Sequence, residues 1–332
     1  MTTCPLHTMA LLSDGQVRRK PLVVLLGPTA VGKSRVAIEV AKRLDTEILT
    51  ADSRQVYRGM DVGTDKPSMA ARQDIPHHLI DLVDPDERFN AGLFRRQATQ
   101  LIEGLHQRRR LPLVVGGTGL YVRTLLQGLC DAPPSDPLLR AQLCDEAREQ
   151  GQDHLYARLA AADPVTAAKL HARDTSKIIR ALEVHRLSGI PISSFHAGHG
   201  FGDRPFSALV IGLNRAREQL YRRIEERIDW QLANGLFEET RDLLDRGYER
   251  DAPAMTGLGY RHVGAYLAGE CDEEEMIRLF KRDTRRFAKR QMTWFKREPE
   301  IRWLVIEDAE PIDETATRVM RLIDPFLSTL LA

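Results

Sequence analysis

Several residue types and patterns are scarce in this sequence of 332 residues, and each scarcity excludes a class of protein. The four cysteines are widely scattered and form no C-x-x-C pair, which argues against a zinc site and against a disulfide framework. No apolar run approaches the ~20 residues of a membrane-spanning helix. Internal repeats and low-complexity tracts are absent. We therefore expect a globular protein of the reducing cytoplasm, with no membrane partner.

The first twenty residues also lack the apolar core and the cleavage site of a signal peptide. We interpret them, residues 1–20, as a flexible leader. Net charge is small as well, +1 at neutral pH, so the whole molecule is not a polycation. The charge is nevertheless uneven, because nine Lys and Arg residues and a single acid, Asp283, lie between Met276 and Arg297. This asymmetry predicts a polyanionic partner larger than a nucleotide.

One glycine-rich stretch that is present dominates the sequence. The apolar run Leu22–Leu26 leads into Gly27-Pro28-Thr29-Ala30-Val31-Gly32-Lys33-Ser34, and a helical pattern follows from Arg35 to Leu44. The stretch fits G-x-x-x-x-G-K-[ST] in the strand–turn–helix context that this phosphate-binding loop requires. Its backbone N–H groups and the lysine predict a di- or triphosphate ligand, and the serine hydroxyl is placed to meet Mg²⁺.

A second short strand, predicted over Glu47–Asp52, ends at an acid. Ligands of doubly wound sheets lie beyond the carboxyl ends of the strands, so Asp52 is expected near the phosphates. Such an acid either holds Mg²⁺ or takes a proton from the acceptor, although a surface acid capping a turn is the plain alternative. The following Ser53-Arg54-Gln55 has side chains of the kind that read a base edge.

The magnesium-binding acid of phosphate-loop hydrolases is missing from its usual place. The obvious buried strand, Leu113–Val115, ends in Gly116-Gly117-Thr118 without a carboxylate, and Asp81 is only a weak substitute. The site is therefore better suited to holding a pyrophosphate than to hydrolysing a nucleotide.

Strands that alternate with helices predict an α/β fold, a parallel sheet of P-loop NTPase type flanked by helices. We expect further strands at His78–Val83 and Ala208–Leu213 and a helix at Ala91–Gln107. A breaker cluster and a flexible joint bound a strand-free stretch, so the α/β core is assigned to residues 21–131 and 204–332. Residues 132–203 are predicted to form an inserted all-helical domain, and residues 215–296 a helical C-terminal part.

Two helical segments carry the basic side chains that matter most. In the segment after the strand at Ala208–Leu213, Arg217 or Arg223 is placed to cover the phosphates, although pairing with neighbouring acids explains most of these charges. In the segment from Met276 to Arg297, one face is basic and an apolar stripe that includes Phe287 is expected to pack. Gln291, Thr293 and Trp294 add polar and stacking groups for unpaired bases, and a solvated face is the default alternative.

Five segments, in this order along the chain, strongly resemble the tRNA dimethylallyltransferases, the IPP transferase family: Gly27–Ser34, Ala51–Tyr57, Gly116–Tyr121, Leu220–Arg227 and Lys289–Phe295. The resemblance runs from about Leu22 to Lys296. It implies transfer of a dimethylallyl group from dimethylallyl diphosphate to N6 of the adenosine on the 3′ side of the anticodon. It also implies Mg²⁺ as cofactor and a flipped-out adenosine.

The resemblance further implies a role for each matching residue. Asp52 matches the base that takes the N6 proton, and Thr29, Lys33 and Arg223 complete the catalytic group, with Ser34 on the metal. The diphosphate-binding residues that it implies are Gly27, Thr29, Ala30, Val31, Gly32, Lys33, Ser34, Arg217 and Arg223. The tRNA-binding residues that it implies are Asp52, Ser53, Arg54, Gln55, Thr118, Arg140, Ser176, Lys177, Ile178, Ile179, Arg180, Thr256, Gly257, Gly259, Tyr260, Arg261, Lys289, Arg290, Gln291, Met292, Thr293, Trp294, Phe295 and Lys296.

Three other functions fit parts of the sequence. A phosphate-loop kinase of a small metabolite explains the loop but has no use for the basic C-terminal helix. A prenyltransferase that acts on free adenine nucleotides needs neither that helix nor the helical insertion. A non-catalytic RNA-binding module explains the basic helix but gives no function to the complete phosphate loop beside Asp52. We expect a monomeric enzyme whose partners are tRNA, through its anticodon stem-loop, and dimethylallyl diphosphate.

Overall fold

The computed structural model describes residues 20–200 and 202–331, and the expected leader lies almost entirely outside this part of the chain. Within it the structure has six strands, which are β1 (Lys20–Leu26), β2 (Ile48–Ala51), β3 (His77–His78), β4 (Leu113–Gly116), β5 (Phe206–Asn214) and β6 (Arg302–Val305). It has fourteen helices, which are α1 (Lys33–Leu44), α2 (Met69–Asp74), α3 (Ala91–Gln107), α4 (Gly119–Gln127), α5 (Pro137–Gln150), α6 (Gln152–Ala162), α7 (Pro164–Ala167), α8 (Thr175–Ser188), α9 (Ile192–His199), α10 (Arg217–Ala233), α11 (Leu236–Asp245), α12 (Tyr260–Leu267), α13 (Glu273–Phe295) and α14 (Ile312–Leu331).

All six strands form one parallel sheet in the order β3-β2-β4-β1-β5-β6. The predicted α/β fold with a parallel sheet is therefore confirmed. In β1, Val23 and Leu25 pack into one apolar core with α1, α10 and α14, whereas Leu22 and Val24 pack into another with α3 and α4. Helices thus cover both faces of the sheet, which explains why β1 is an uninterrupted apolar run.

The chain divides into two compact units, one that ends at Leu126 and resumes at Pro205, and one that spans Gln127–Arg204. The first holds the sheet and is called here the α/β unit. The second, called here the helical unit, contains α5 to α9 and has its own core, in which Leu143, Leu155 and Leu159 are fully buried. None of the helices that the structure describes has the length and apolar character needed to cross a membrane.

Two sequence predictions about strands differ from the structure. Of the strand expected at His78–Val83, only His78 belongs to β3, because Leu79 and Asp81 take left-handed backbone angles, with φ of 64° and 55°, that end the strand. The pairing of β6 with β5 is an addition that the sequence analysis lacks. Strand β6 is a short, partly exposed edge strand, and it overlaps the apolar run Trp303–Ile306.

Candidate active site

Three neighbouring strands end at the same edge of the sheet, and each contributes to one cavity. The strands are β2, β4 and β1, followed respectively by Asp52, by the turn Gly116–Gly119 and by the phosphate loop Gly27–Ser34. The residues that line the cavity include Thr29, Lys33, Ser34, Thr50, Asp52, Gln55, Asp65, Val115, Arg227, Phe287 and Gln291. The topology therefore brings the predicted base and the predicted phosphate loop together.

The phosphate loop has the backbone that its glycines predict. A Cβ atom on Gly27 would lie 2.6 Å from the carbonyl oxygen of Leu213, so only glycine fits there. Gly32 has a φ of 104° and caps the start of α1, whose first turn contains no acid. The positive end of the helix dipole is therefore left for an anion.

The side chain of Lys33 lies at the base of this loop, with its Nζ atom 3.4 Å from the carbonyl oxygen of Pro28. The pKa of Lys33 is lowered to about 8, mainly by burial and also by the charge of Arg227, while Asp52 and Asp65 oppose the shift. An anion bound in the loop would add a favourable charge and hold the proton on Lys33. The loop is thus electrostatically prepared for a diphosphate.

Helix α10 places arginines over the loop. The guanidinium of Arg227 donates to the hydroxyl of Thr29 (2.9 Å) and lies 3.4 Å from a carboxylate oxygen of Asp65. Arg223 donates through Nε to the carbonyl oxygen of Ala30 (3.0 Å). Arg223 and Arg227 are one helical turn apart, so both reach the same face of the loop.

Two arginines at the loop, Arg227 and Arg215, are not among the predicted diphosphate-binding residues. Arg227 was available from its four-residue spacing to Arg223. Arg215 is buried and donates to the carbonyl oxygen of Val31 (3.0 Å), a role that only the tertiary structure reveals. The predicted contact of Arg217 with the diphosphate is not supported, because Arg217 is exposed and its guanidinium lies over the ring of Tyr221.

The loop is also open on a second side. Gly32, Arg35, Arg223, Glu226 and Trp230 line this outer opening, and Trp230 is 52% exposed. Lys33, Ser34, Asp65 and Arg227 line both openings. A ligand in the phosphate loop can therefore be approached from the side of Asp52 and from the side of Trp230.

The carboxylate of Asp52 is oriented by the backbone that follows it. Its Oδ1 atom accepts hydrogen bonds from the N–H groups of Arg54 (2.8 Å) and Gln55 (3.4 Å), the geometry of an Asx turn. The hydroxyl of Thr118 accepts from the N–H of Ser53 (3.0 Å), which ties the end of β2 to the turn after β4. The Oδ2 atom of Asp52 has no hydrogen bond within the described chain and is available to a substrate.

The glycines of the turn after β4 serve close packing. A Cβ atom would overlap the carbonyl group of Ala51 at Gly116, lie 2.5 Å from Nε2 of Gln291 at Gly117, and overlap the ring of Trp294 at Gly119. This close packing explains why no carboxylate follows β4, because neighbouring backbone and side chains occupy the space beside each glycine.

The weak substitute acid, Asp81, is also engaged elsewhere. It accepts from Lys66 (2.6 Å) and Arg72 (2.7 Å), and these cations keep its pKa below the usual value although burial acts in the opposite direction. Asp81 does not line the cavity, so its suggested role with the metal is not supported.

Several residues expected to bind tRNA are buried or packed within the α/β unit. Gln55 is buried and donates to the carbonyl oxygens of Thr64 and Asp65, and Tyr260 is buried and donates to Glu239. The other residues that are buried or packed in this way are Gly257, Gly259, Gln291, Met292 and Phe295. Gln55 and Gln291 nevertheless line the cavity, and the tRNA contacts expected of this group stay predictions.

Trp294, Arg54 and Arg261 also have protein partners. The ring of Trp294 packs at Gly119 and lies 4.0 Å from the guanidinium of Arg123, so it is not a free stacking platform. Arg54 donates to the carbonyl oxygen of Pro253, and Arg261 pairs with Asp283.

Helix α13 carries fewer unpaired cations than the sequence suggests. Four of its cations pair with acids at 2.5 to 2.9 Å: Arg278 with Glu275, Lys281 with Asp229, Arg282 with Asp283, and Arg285 with Glu225. Lys289, Arg290 and Lys296 are exposed and have no ion pair within the described chain. The basic face available to a polyanion is therefore the C-terminal third of the helix, where Thr293 is also exposed.

The predicted tRNA-binding residues of the helical unit are also partly buried or paired and partly exposed. Ile178 and Ile179 are 1% and 3% exposed and pack in the core of that unit, so their side chains cannot contact RNA. Arg140 and Arg180 both donate to the buried carboxylate of Glu183. Ser176 and Lys177 are exposed, and Lys177 pairs with Asp174.

The chain is similar to known proteins over most of its length. A family model described as IPP transferase matches residues 55–298, and a model described as isopentenyl transferase matches residues 20–86. The chain is 50% identical to tRNA dimethylallyltransferase 2 of Geotalea uraniireducens over 88% of its own length and 94% of that protein. It is 47% identical to the tRNA dimethylallyltransferase of Pelotomaculum thermopropionicum over 93% and 98%, respectively.

Two solved structures are similar over nearly the whole chain. The full-length tRNA isopentenylpyrophosphate transferase of Bacillus halodurans superposes with a TM-score of 0.71 at 37% identity, covering 94% of this chain and 98% of that one. A eukaryotic dimethylallyltransferase acting on tRNA superposes with a TM-score of 0.80 at 27% identity, covering 93% and 80%. On the strength of this agreement in sequence and in fold, the chain belongs to the tRNA dimethylallyltransferase family.

Proposed function

We propose that this protein transfers the dimethylallyl group of dimethylallyl diphosphate to N6 of the adenosine on the 3′ side of the anticodon in certain tRNAs, releasing diphosphate. The observation that carries the proposal is the shared cavity. The unbonded carboxylate oxygen of Asp52 and the anion-binding loop with Lys33 line the same space, in a chain of this family. A proton acceptor and a diphosphate holder are the two groups that the reaction needs.

Asp52 is the proposed proton acceptor. The N6 amino group of adenine is a poor nucleophile because its lone pair is delocalised into the ring. A base must therefore take its proton as the new C–N bond forms. The Asx turn holds one oxygen of Asp52 in place and leaves the other for this proton. The adenosine has to leave the base stack to reach it, which is base flipping.

The leaving diphosphate carries concentrated negative charge as the C–O bond breaks. Lys33, the N–H groups at the start of α1 and Arg227 surround the space where this charge develops. Thr29 is held by Arg227 at the mouth of the loop, in a place to contact the diphosphate or the allylic carbon. Arg223 lines the outer opening beside the loop, so both Arg223 and Arg227 would stabilise this charge.

Mg²⁺ is the cofactor that we propose. The residues that line the cavity fit this ion, because the hydroxyl of Ser34 and the carboxylate of Asp65 are oxygen donors in the same cavity. Ser34, at the exposed start of α1, would hold the ion against the diphosphate. When bound, Mg²⁺ would neutralise part of the charge of the leaving group.

The proposed RNA partner is the anticodon stem-loop of tRNA. Lys289, Arg290, Thr293 and Lys296 offer it an exposed basic face in the α/β unit, and Ser176 and Lys177 offer contacts in the helical unit. Contacts of this kind go mainly to phosphates and make affinity depend on salt. We also propose that the enzyme is a cytoplasmic monomer.

A transfer assay tests the proposal. The protein is incubated with Mg²⁺, labelled dimethylallyl diphosphate and an anticodon stem-loop that carries the target adenosine, and free AMP is the competing acceptor. We expect label on the RNA at that adenosine and none on AMP. Label on AMP alone would establish a nucleotide prenyltransferase instead. Failure with both acceptors, together with ATP consumption in the presence of small acceptors, would establish the kinase.

A further inference from the structure

The side-chain amide of Gln291 joins the two glycine turns of the active-site edge. Its Oε1 atom accepts a hydrogen bond from the N–H of Thr29 (2.9 Å), and its Nε2 atom donates to the carbonyl oxygen of Gly117 (3.0 Å). The residue is 8% exposed. Both ends of the amide are thus engaged by the protein, and little of it is left for a contact with RNA.

Thr29 is held at two points as a result. Pro28 has no backbone N–H, so the next N–H group of the loop is that of Thr29. This N–H donates its hydrogen bond to the side chain of Gln291. Its hydroxyl accepts from Arg227. The backbone of this residue is therefore determined by a side chain from a helix more than 250 positions away in the sequence.

We infer that Gln291 is a positioning residue for Thr29 and the phosphate loop, and not a tRNA-binding residue; this inference rests on the proposed function. Helix α13 consequently has two functional faces near its C-terminal end. Lys289, Arg290 and Lys296 are exposed to a polyanion, whereas Phe287 and Gln291 form part of the cavity wall. One helix serves both substrates through different side chains.

Gln291→Met tests the inference, because methionine keeps the size of the side chain and removes both hydrogen bonds. The loop N–H and the carbonyl of Gly117 lose their partners, so the loop becomes less ordered before ligand binds. Without RNA, we expect the Kd of dimethylallyl diphosphate to rise about tenfold. The Kd of the anticodon stem-loop should stay within about twofold, and kcat should fall while the KM for RNA is unchanged.

Gly117→Ala perturbs the same amide from the other side. A Cβ atom there would lie 2.5 Å from Nε2 of Gln291, and the backbone of Gly117 does not have a positive φ. We expect a similar loss of affinity for dimethylallyl diphosphate. Because both changes act on one hydrogen-bonded unit, their effects in the double variant should be clearly less than additive. This second variant also serves if Gln291→Met does not fold.

Lys289→Ala is the matched control on the exposed face of α13. It should weaken stem-loop binding and reduce its salt dependence, while the Kd of dimethylallyl diphosphate stays the same. The opposite result for Gln291→Met, weaker stem-loop binding with unchanged diphosphate affinity, would overturn the inference, and so would two unchanged affinities. A wild-type protein that binds dimethylallyl diphosphate but transfers nothing to RNA would refute the proposed function separately.

Discussion

Two glycine turns lie side by side at the edge of the sheet and have opposite structural purposes. The phosphate loop Gly27–Ser34 follows β1, and the turn Gly116–Gly119 follows its neighbour β4. Around Gly32 the nearest atoms to an added Cβ are side-chain nitrogens of Arg215 and Arg223 at 3.8 and 3.9 Å. Around Gly116, Gly117 and Gly119 an added Cβ would meet β2 or α13 at once.

The difference teaches that glycine in a strand-end turn has two distinct uses. In the first turn Gly32 supplies a left-handed backbone that leaves N–H groups facing a ligand, although Gly27 also serves close packing, against Leu213. In the second it removes a side chain so that Ala51, Gln291 and Trp294 can approach. The second turn is nevertheless essential to the first, because through Thr118 and Gln291 it holds the end of β2 and the residue Thr29.

The largest expected effect comes from a substitution in the cavity, outside the closely packed turn Gly116–Gly119. Asp52→Ala removes the proposed proton acceptor from the cavity without touching the packed turn, so kcat for transfer should fall by about 10²–10⁴. Affinity for the stem-loop should change only severalfold, as measured by filter binding. Loss of RNA binding with normal single-turnover transfer would contradict the assignment of Asp52 as base.

An intermediate effect is expected from exchanging glycine for alanine in each turn. Gly116→Ala should lower the free energy of unfolding by about 3 kcal/mol, since the new methyl overlaps the backbone of β2. Gly32→Ala should cost only about 1–2 kcal/mol, the strain of a left-handed alanine, but should weaken binding of dimethylallyl diphosphate. Urea unfolding measures the free energy of unfolding, and equilibrium binding measures the affinity for dimethylallyl diphosphate. An equal loss of unfolding free energy in both variants would contradict the difference proposed between the two turns.

The effect that is smallest near neutral pH is a pH dependence that belongs to the open turn alone. The pKa of Lys33 is lowered to about 8 by burial, and a bound diphosphate favours the protonated amine. Affinity for dimethylallyl diphosphate should therefore be nearly constant below pH 7 and should fall as the pH rises, approaching a tenfold loss for each unit well above pH 8. Isothermal calorimetry in two buffers should show proton uptake on binding at pH 9.

Lys33→Met is the control for that titration. It should bind dimethylallyl diphosphate weakly and with no change in affinity between pH 7 and pH 9.5. A wild-type affinity that is flat over the same range would show that Lys33 keeps its proton without ligand, contrary to the effect of burial.

Much of the fold was predictable because its signals are local. The strands β1, β2, β4 and β5 and the helix α3 follow from apolar runs and helical periodicity. Strand β6 was missed although the apolar run Trp303–Ile306 marks it, because the strand is only four residues long and follows a long helical stretch. Strand β3 was overestimated because the apolar residues after it turn into the core through a left-handed backbone.

The parts of the candidate site that depend on local backbone chemistry were predictable from the sequence. The parts that depend on how distant helices pack were not. The pattern Gly27–Ser34 implies an anion site in any parallel sheet, and Asp52 follows from its place at a strand end. Basic side chains in one helix look alike in sequence, whereas the structure pairs Arg285 with Glu225 and leaves Lys289 exposed.

By itself the sequence determined the parallel α/β fold, the phosphate loop and Asp52 beside it, because each depends on residues close together in the chain. Only the tertiary structure decided that Arg215 contacts the phosphate loop at Val31, that the turn after β4 is closely packed, and that Gln291 supports Thr29. Those outcomes depend on which distant helix packs against which strand end, and hydrogen-bond partners across such distances are not encoded in any local pattern.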